Sequence, residues 1–448
     1  MEVSYTIDAG PMRSGLVRFR AVYTGCRPKT SLKLPALLAK TGAAVEGLCA
    51  ARPDGKRLRV KVSGETILID APRFTLEYSL RLTLKGSVGT DRETDLLYPF
   101  LNSSELFLAT GTLPYPENLP AIANSLHAEL RLVGLPAGWG VFSSLPEGPV
   151  CPAALDSFFL YCSKRPAAHT HIYKGVAGRI MFGLMVQKGK TIPHRQAEIW
   201  RFADRALAEL EKSLIPLIGD RRINILVLQP PRDFERIARG GTFAAGENLL
   251  GGIAVYTPKS PAYIRQRYGY GSYAYHLRDG LTHELTHLYS TTAWQGRFKS
   301  LLFPSAGCPP RHKQLIGETL TAYFHEAVLR CHTGKKASLI SGKILPQLAA
   351  WKAAPRKKPL LDLFLLDLWL RANGGSLRSA AVRLMKKYGL KHKPYRSGAA
   401  LAREAEASCG APLPAQLRKT LLTRHIPDYA AALKAYPGWN NRDFNPLR

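Results

Sequence analysis

Two histidines and a glutamate form the segment of this sequence with the clearest chemical potential. Residues 283–287 read His-Glu-Leu-Thr-His, so that His283 and His287 stand four positions apart. In a helix such positions share one face, about 6 Å apart along the axis, and two imidazoles placed in this way can bind one zinc ion. Glu284 lies beside them and is positioned to act as a general base on a zinc-bound water. The segment therefore predicts a hydrolytic zinc site; the alternative is a pair of surface histidines on a helix.

A catalytic zinc ion also needs a third protein ligand and an open coordination position. Thirty residues after His287 the sequence reads Gly-Glu-Thr-Leu-Thr-Ala-Tyr, which places Glu318 near the start of a helical and largely apolar pattern. An unpaired charge on such a helix is costly, and a bound zinc ion would offset that cost. We therefore predict that His283, His287 and Glu318 bind Zn²⁺, with a capping or salt-bridging role as the alternative for Glu318.

Several other residues near these segments have more than one interpretation. Tyr323 ends the Glu318 segment and is interpreted as a helix residue packed under the site. Residues 267–276 gather four tyrosines before the first histidine, which either line a substrate cleft or simply pack. His312, His325 and His332 are interpreted as surface or structural residues rather than as a fourth ligand.

The elements that position these residues follow from the apolar pattern. Residues 1–150 are predicted to be β, because short runs rich in Val, Ile, Leu and Tyr alternate with Gly, Pro and Asp turns, as in a β-sandwich. After residue 150, strands and helices are mixed, and helical patterns dominate from residue 314 onwards, interrupted at Gly374–Gly375 and Gly410. The predicted strands are Leu58–Val62, Thr66–Ile69, Phe74–Leu84, Ala128–Leu132, Gly178–Gln187 and Ile223–Leu228, and the predicted helices include Arg195–Ile215 and Tyr275–Tyr289.

The composition is that of a globular protein. Of the 448 residues 46% are hydrophobic and 21% are charged, values that exclude wholesale disorder and a fibrous chain. The most apolar run, Leu360–Leu370, contains two aspartates and is shorter than the roughly 18 residues of a membrane helix. The first eight residues have neither the basic start nor the apolar core of a secretory signal. The seven cysteines are scattered and form no Cys-x-x-Cys pair, which favours reduced thiols and a cytoplasmic location.

Positive charge is concentrated towards the end of the chain. The formal net charge is +30, and residues 331–448 contain 22 Lys and Arg against 6 Asp and Glu. Such an excess favours acidic partners in general, and the cluster at residues 352–359 is its densest part. No recognisable nucleic-acid motif accompanies it, so binding of nucleic acid or another polyanion is one interpretation and a solvated loop is the other.

The two motifs around His283 and Glu318 resemble those of the gluzincin zinc metallopeptidases. The thirty-residue gap between them is similar to that of the glycyl-aminopeptidase family, whose catalytic domain resembles that of aminopeptidase N. Further segments match the family in order, namely residues 135–139 at the end of its β-domain, 251–258 at its substrate-binding edge strand and 365–389 in its C-terminal helical segment.

This resemblance implies an α+β multidomain chain. Its parts would be an N-terminal β-sandwich domain at residues 1–150, a thermolysin-like zinc catalytic domain at 151–345 and a basic C-terminal helical region at 346–448. The implied partner is a peptide or protein substrate. Zinc would polarise the scissile carbonyl, and Glu284 would take a proton from the water and pass it to the leaving amine.

Two segments depart from the family pattern. The family's edge strand reads Gly-Gly-Leu-Glu-His, and its Glu meets the free amino group of the substrate; here the corresponding position is Ala254. The family's Tyr-x-Lys-Gly segment, whose Tyr donates to the oxyanion, corresponds to residues 355–359, Pro-Arg-Lys-Lys-Pro. Arg356, Tyr388 and Tyr395 are alternative donors, among which spacing does not choose.

Two functions therefore compete. The first is a zinc metallopeptidase, exo- or endo-acting, because a purely structural zinc site has no need of Glu284. The second is a catalytically impaired relative that keeps zinc and binds an acidic macromolecule through its basic C-terminal region. The retained motifs favour the first hypothesis, and the two altered segments favour the second.

Overall fold

A computed structural model describes residues 1–37, 43–82, 99–109, 111–118, 126–145, 149–150, 155, 158–164, 168–186, 196–216, 221–228, 246–249, 252–256, 273–290, 315–333, 339–389 and 397–439. Within this part the strands are β1 Glu2–Asp8, β2 Leu16–Thr24, β3 Thr30–Lys33, β4 Ala44–Ala51, β5 Arg57–Leu58, β6 Val60–Ser63, β7 Thr66–Ile69, β8 Phe74–Arg81, β9 Phe100–Leu101, β10 Glu105–Ala109, β11 Tyr115–Pro116, β12 His127–Val133, β13 Trp139–Ser143, β14 Pro149–Val150, β15 Phe159–Lys164, β16 Ala168–Lys174, β17 Arg179–Val186, β18 Arg221–Leu228, β19 Gly246–Leu249 and β20 Gly252–Tyr256.

The α-helices are α1 Gln196–Ser213, α2 Tyr273–Ser290, α3 Leu320–Thr333, α4 Leu345–Ala353, α5 Pro359–Ala372, α6 Leu377–Leu384, α7 Ala399–Cys409, α8 Ala415–Leu422 and α9 Tyr429–Lys434. Three π-helical turns, Leu315–Thr319, Ile340–Ile344 and Met385–Gly389, adjoin α3, α4 and α6. Short 3₁₀ turns lie at Gly10–Ser14 and Pro35–Leu37.

The chain divides into two compact units. The first comprises residues 1–171, 181–193 and 222–277, and the second comprises residues 172–180, 194–221 and 278–448. The domain boundaries predicted near residues 150 and 345 remain predictions.

Three sheets build the N-terminal part of the first unit. Their strand orders are β14-β12-β1-β2-β8-β4-β5, β13-β15-β10-β9 and β11-β3-β7-β6. In β2 every second side chain is buried, as expected for strands with one face on a core. The inward side chains of all three sheets, among them Ile7, Leu32 and Leu106, form one hydrophobic cluster. The prediction of a β-rich region up to residue 150 is confirmed.

A fourth sheet has the order β16-β17-β18-β20-β19. Strand β18 runs parallel to β20, and β19 runs antiparallel to it. A Cβ at Gly252 would come within 2.5 Å of the Phe159 ring and 2.7 Å of the Ser144 Cβ, so glycine is required where β20 approaches β15 and the residue that follows β13. The strands predicted at 178–187 and 223–228 are present as β17 and β18, so both predictions are confirmed.

The family resemblance predicts the edge strand at residues 251–258, and the sheet order shows that this prediction is wrong. Strand β20 lies between β18 and β19, so β19 is the outermost of the described strands on that side. Glu247 of β19 is paired with Ala254 of β20 in the antiparallel register. The outermost of the described strands therefore contains a glutamate, for which the local sequence pattern predicts no role.

Helices make up most of the second unit, and α5 lies at their centre. All residues from Leu360 to Leu370 are buried, which explains why this run is apolar on every side. Its neighbours are α3 and the C-terminal helices α6 to α9. None of the described helices combines the length and the hydropathy that crossing a bilayer would need.

The predicted break after α5 is also present. Gly374 has a φ of +77°, a left-handed conformation that favours glycine, and Ser376 caps α6 through a reciprocal hydrogen-bonded pair with Ser379. The mixed α/β architecture with several sheets and a helical C-terminal region is thus confirmed. The thermolysin-like character of the middle region stays a prediction.

Candidate metal centre

The predicted metal-binding segment lies on α2, which extends two residues further in the N-terminal direction than the apolar pattern predicts. Leu281 and Leu285 are buried and anchor the helix on its apolar side. Thr286 is also buried, and its hydroxyl donates to the Thr282 carbonyl at 2.7 Å. This bond satisfies the Thr286 hydroxyl within the helix. The two histidines, four positions apart, lie on one face of the helix.

The side chains of His283 and His287 converge. Their Nε2 atoms are 3.0 Å apart, and their rings meet edge to face with centroids 4.7 Å apart. Glu284 joins them, because its carboxylate and the two histidine nitrogens all lie within 4.8 Å of one another. His287 and Glu284 are buried and His283 is half-buried. The interpretation of the pair as surface histidines is therefore wrong.

This donor set fits a zinc ion. Two imidazole nitrogens at 3.0 Å have the spacing of two ligands that share one ion at about 2.0–2.1 Å from each. Imidazole and carboxylate are the groups that protein-bound zinc prefers at hydrolytic sites. The Glu284 side chain is only 2% exposed, and a divalent cation would offset part of the cost of burying its carboxylate.

The third predicted ligand, Glu318, lies in the π-helical turn Leu315–Thr319 that leads directly into α3. Its side chain lies outside the described part of the structure, so its role as a ligand stays a prediction. π-Helical turns are frequent at functional sites, and this one is buried on either side of Glu318, at Ile316 and Leu320.

Helix α3 brings two further side chains to the histidine pair. Thr321 Oγ1 lies 3.3 Å from His287 Nδ1, and the threonine is 1% exposed. The ring of His325 meets that of His283 edge to face, with centroids 5.3 Å apart, and is also buried. The sequence predicts no role for Thr321 and allows His325 to be a surface or a structural residue; His325 is buried, so the surface interpretation is wrong. Their spacing of three and seven residues from Glu318 was the signal that could have identified them.

A buried carboxylate joins α3 to α5 and α6. Tyr323, the last residue of the Glu318 motif, donates its hydroxyl to Asp367 Oδ2 at 2.9 Å, and Arg371 Nε donates to the same oxygen at 3.1 Å. The Leu377 amide, at the first turn of α6, donates to Asp367 Oδ1 at 2.6 Å. Burial raises the pKa of Asp367, while Arg371 and the other donors oppose that shift. Burial and the neighbouring Asp367 also hold the pKa of Tyr323 well above its ordinary value, so its hydroxyl stays protonated and donates.

The alternative oxyanion donors have other contacts or lie outside the described residues. Tyr388 accepts a hydrogen bond from Arg403 of α7 at 3.2 Å. Arg356 is exposed, and Lys357 beside it donates to the Thr423 carbonyl. Tyr395 and the tyrosines of residues 267–272 lie outside the described part. Within that part, no contact joins Tyr388 or Arg356 to the histidine pair, and the oxyanion donor is not identified.

Comparison with known proteins identifies structures that have a similar fold. No family model and no curated protein matches the sequence. Solved structures do match. An aminopeptidase N family protein from Idiomarina loihiensis superimposes with a TM-score of 0.64 and 13% identity, over 96% of this chain and 78% of that one. An M1 zinc metallopeptidase from Deinococcus radiodurans gives a TM-score of 0.54 and 13% identity, over 95% of this chain and 93% of that one.

The chain has the fold of an M1 zinc metallopeptidase. A third structure with this fold, Legionella pneumophila aminopeptidase A in complex with aspartic acid, has a TM-score of 0.54 and 10% identity, over 95% of this chain and 49% of that one. Structural matches at identities this low establish the M1 metallopeptidase fold, but they do not establish the activity. The expected aminopeptidase N-like architecture is therefore confirmed, and the activity has to be argued from the site.

Proposed function

We propose that this protein is a zinc-dependent peptidase in which His283, His287 and Glu318 hold the metal and Glu284 is the general base. The observation that carries the proposal is the convergence of two imidazole nitrogens to 3.0 Å beside a buried carboxylate. The fold supports it, because the M1 zinc metallopeptidase from Deinococcus radiodurans has a similar fold, and a variant of that enzyme was crystallised with a Tyr-Ser-Ala substrate.

The mechanism follows from the placement of these side chains. His283, His287 and Glu318 would hold a zinc ion, which would supply Lewis-acid polarisation of the scissile carbonyl and make water a nucleophile near neutral pH. Glu284 accepts the proton of the attacking water and delivers it to the leaving amine, the two transfers of general acid–base catalysis. The buried surroundings of Glu284 keep competing bulk water away from its carboxylate. His283 and His287 hold their Nε2 atoms towards a common point.

Substitution of Glu284 tests the proposal. Glu284→Gln keeps the shape of the side chain and removes the base, so peptide turnover should fall by about 10²–10⁴-fold while the zinc content of the purified protein stays at that of the wild type. The matched control is Glu404→Gln. Glu404 is a similarly buried glutamate of α7, and its carboxylate is held by Lys387 and Arg383. The control should retain turnover, and full activity of Glu284→Gln would remove Glu284 from the mechanism.

The second candidate is a zinc-binding relative that no longer hydrolyses peptides and binds an acidic macromolecule. The altered segment at residues 355–359 supports it, because no oxyanion donor is identified there and loss of one such donor typically costs about 10²–10³ in rate. A wild-type protein that binds one zinc and cleaves neither blocked nor free-amino peptides would favour this candidate.

A further inference from the structure

The two imidazoles on α2 each contact one side chain of α3. Thr321 approaches His287, and His325 approaches His283. Thr321 and His325 are four residues apart on the same helix, and Thr321 follows Glu318 by three residues. Because positions four apart share one face of a helix, Thr321 and His325 present the same face of α3 to the two imidazoles.

The contact at His287 involves the nitrogen that faces away from the other histidine. Its Nε2 points to His283 Nε2 at 3.0 Å, and its Nδ1 lies 3.3 Å from the Thr321 hydroxyl oxygen. A neutral imidazole has one N–H and one lone pair, on different nitrogens. Only the tautomer with the proton on Nδ1 leaves the Nε2 lone pair available for a metal.

The hydroxyl of Thr321 can act on His287 in two ways with opposite consequences. If it accepted from Nδ1–H, the Nε2 lone pair would face the metal; if it donated to Nδ1, the proton would sit on Nε2 and block binding. Thr321 is 1% exposed and His287 is 5% exposed, so little water is present to compete for this hydrogen bond. Ligand histidines in proteins regularly donate their second N–H to such an outer acceptor.

We propose that Thr321 is a positioning residue that accepts the Nδ1–H of His287 and so holds Nε2 in its metal-binding tautomer. This inference rests on the proposed function, because it requires that His287 be a zinc ligand. Its consequence is that residues 318–321 would contribute to the metal site twice, through the proposed ligand Glu318 and through a hydroxyl that touches no ion.

The test measures zinc affinity rather than turnover. The full-length protein is stripped of metal, and the zinc dissociation constant is determined by competition with a chromogenic chelator. Thr321→Val replaces the hydroxyl by a methyl group of nearly the same volume and should weaken zinc binding by about 10- to 100-fold. Thr321→Ser restores the hydroxyl and should bind zinc within about threefold of the wild type, well under the effect expected for loss of an outer-shell partner.

Thr286→Val is the matched control. Thr286 is 2% exposed, lies beside His287 in the chain, and gives its hydroxyl proton to the Thr282 carbonyl rather than to an imidazole. It should keep the wild-type zinc affinity. If Thr321→Val bound zinc as tightly as the wild type, the inference would be overturned and the proposed function would stand. The same conclusion would follow if Thr321→Val and Thr286→Val lost equal zinc affinity. A wild-type protein that binds no zinc would overturn both.

Discussion

Removal of one hydroxyl, in Tyr323→Phe, tests whether the buried carboxylate of Asp367 holds the metal-site helix in place. Tyr323 and Asp367 are both fully buried, and their hydrogen bond links α3 to α5 at 2.9 Å. Phenylalanine fills the same space without the hydroxyl, so the substitution removes one donor from the carboxylate and leaves packing unchanged.

The size of the effect follows from the contacts that remain. Asp367 keeps the Leu377 amide and Arg371, so it is not left without donors. A hydrogen bond to a charged group contributes about 1.5–3 kcal/mol, and the free energy of unfolding should fall by that amount. The part of this loss that reaches the metal site through α3 raises the zinc dissociation constant, at about tenfold for each 1.4 kcal/mol, so the rise is at most about 10- to 150-fold.

Tyr429→Phe provides the matched control. Tyr429 of α9 donates to the Oδ1 atom of Asp362 at 2.6 Å, and Asp362 is a second buried aspartate of α5. This variant loses the same kind of bond but loosens α9 rather than α3. Thermal unfolding and chelator competition on both variants should show two destabilised proteins, of which only Tyr323→Phe has weakened zinc affinity. Equal zinc affinities in the two variants would refute the role assigned to Asp367.

Two further predictions concern Asp362 and the edge strand. Burial raises the pKa of Asp362 from 3.8 to about 6, against the opposing effects of Tyr429 and Lys357. Because this carboxyl group is harder to ionise in the folded protein, the free energy of unfolding falls as the pH rises from 4 through 6, by about 3 kcal/mol in all. About 1 kcal/mol of this loss falls between pH 5 and pH 7. The free energy of unfolding of Asp362→Asn, measured with urea, should lack this part of the pH dependence. If it changed with pH in parallel with that of the wild type, the prediction would be contradicted. For the edge strand, the family resemblance assigns a carboxylate to the substrate's free amino group, so Glu247→Gln should raise KM for free-amino peptides and not for blocked ones. An unchanged KM for both would exclude that role.

The sequence predicts well those features that depend on local spacing. The helix with His283 and His287 was expected at 275–289 and is found at Tyr273–Ser290, because two histidines at i and i+4 and a buried leucine pattern specify the same element. The break at Gly374 was also expected, since glycine adopts a left-handed conformation at little cost. In each case the decisive residues are neighbours in the chain.

Features that depend on distant pairing were missed. The order of strands decides which one is outermost, and nothing local to residues 251–255 shows that β19 lies outside β20 and places Glu247 opposite Ala254. Thr321 lies 34 residues after His287, and its contact exists only because α2 and α3 meet. Asp367 was recognised as a charge in an apolar helix, but its partner Tyr323 is 44 residues away in sequence.

The central claim is that one zinc ion binds between the histidines of α2. Anomalous diffraction at the zinc absorption edge, from crystals of the zinc-loaded full-length protein, tests it most directly. We expect one strong peak about 2.0–2.1 Å from the Nε2 atoms of His283 and His287, with a carboxylate oxygen of Glu318 as its next protein ligand. A peak elsewhere in the protein, or no peak near the two imidazoles, would contradict the account.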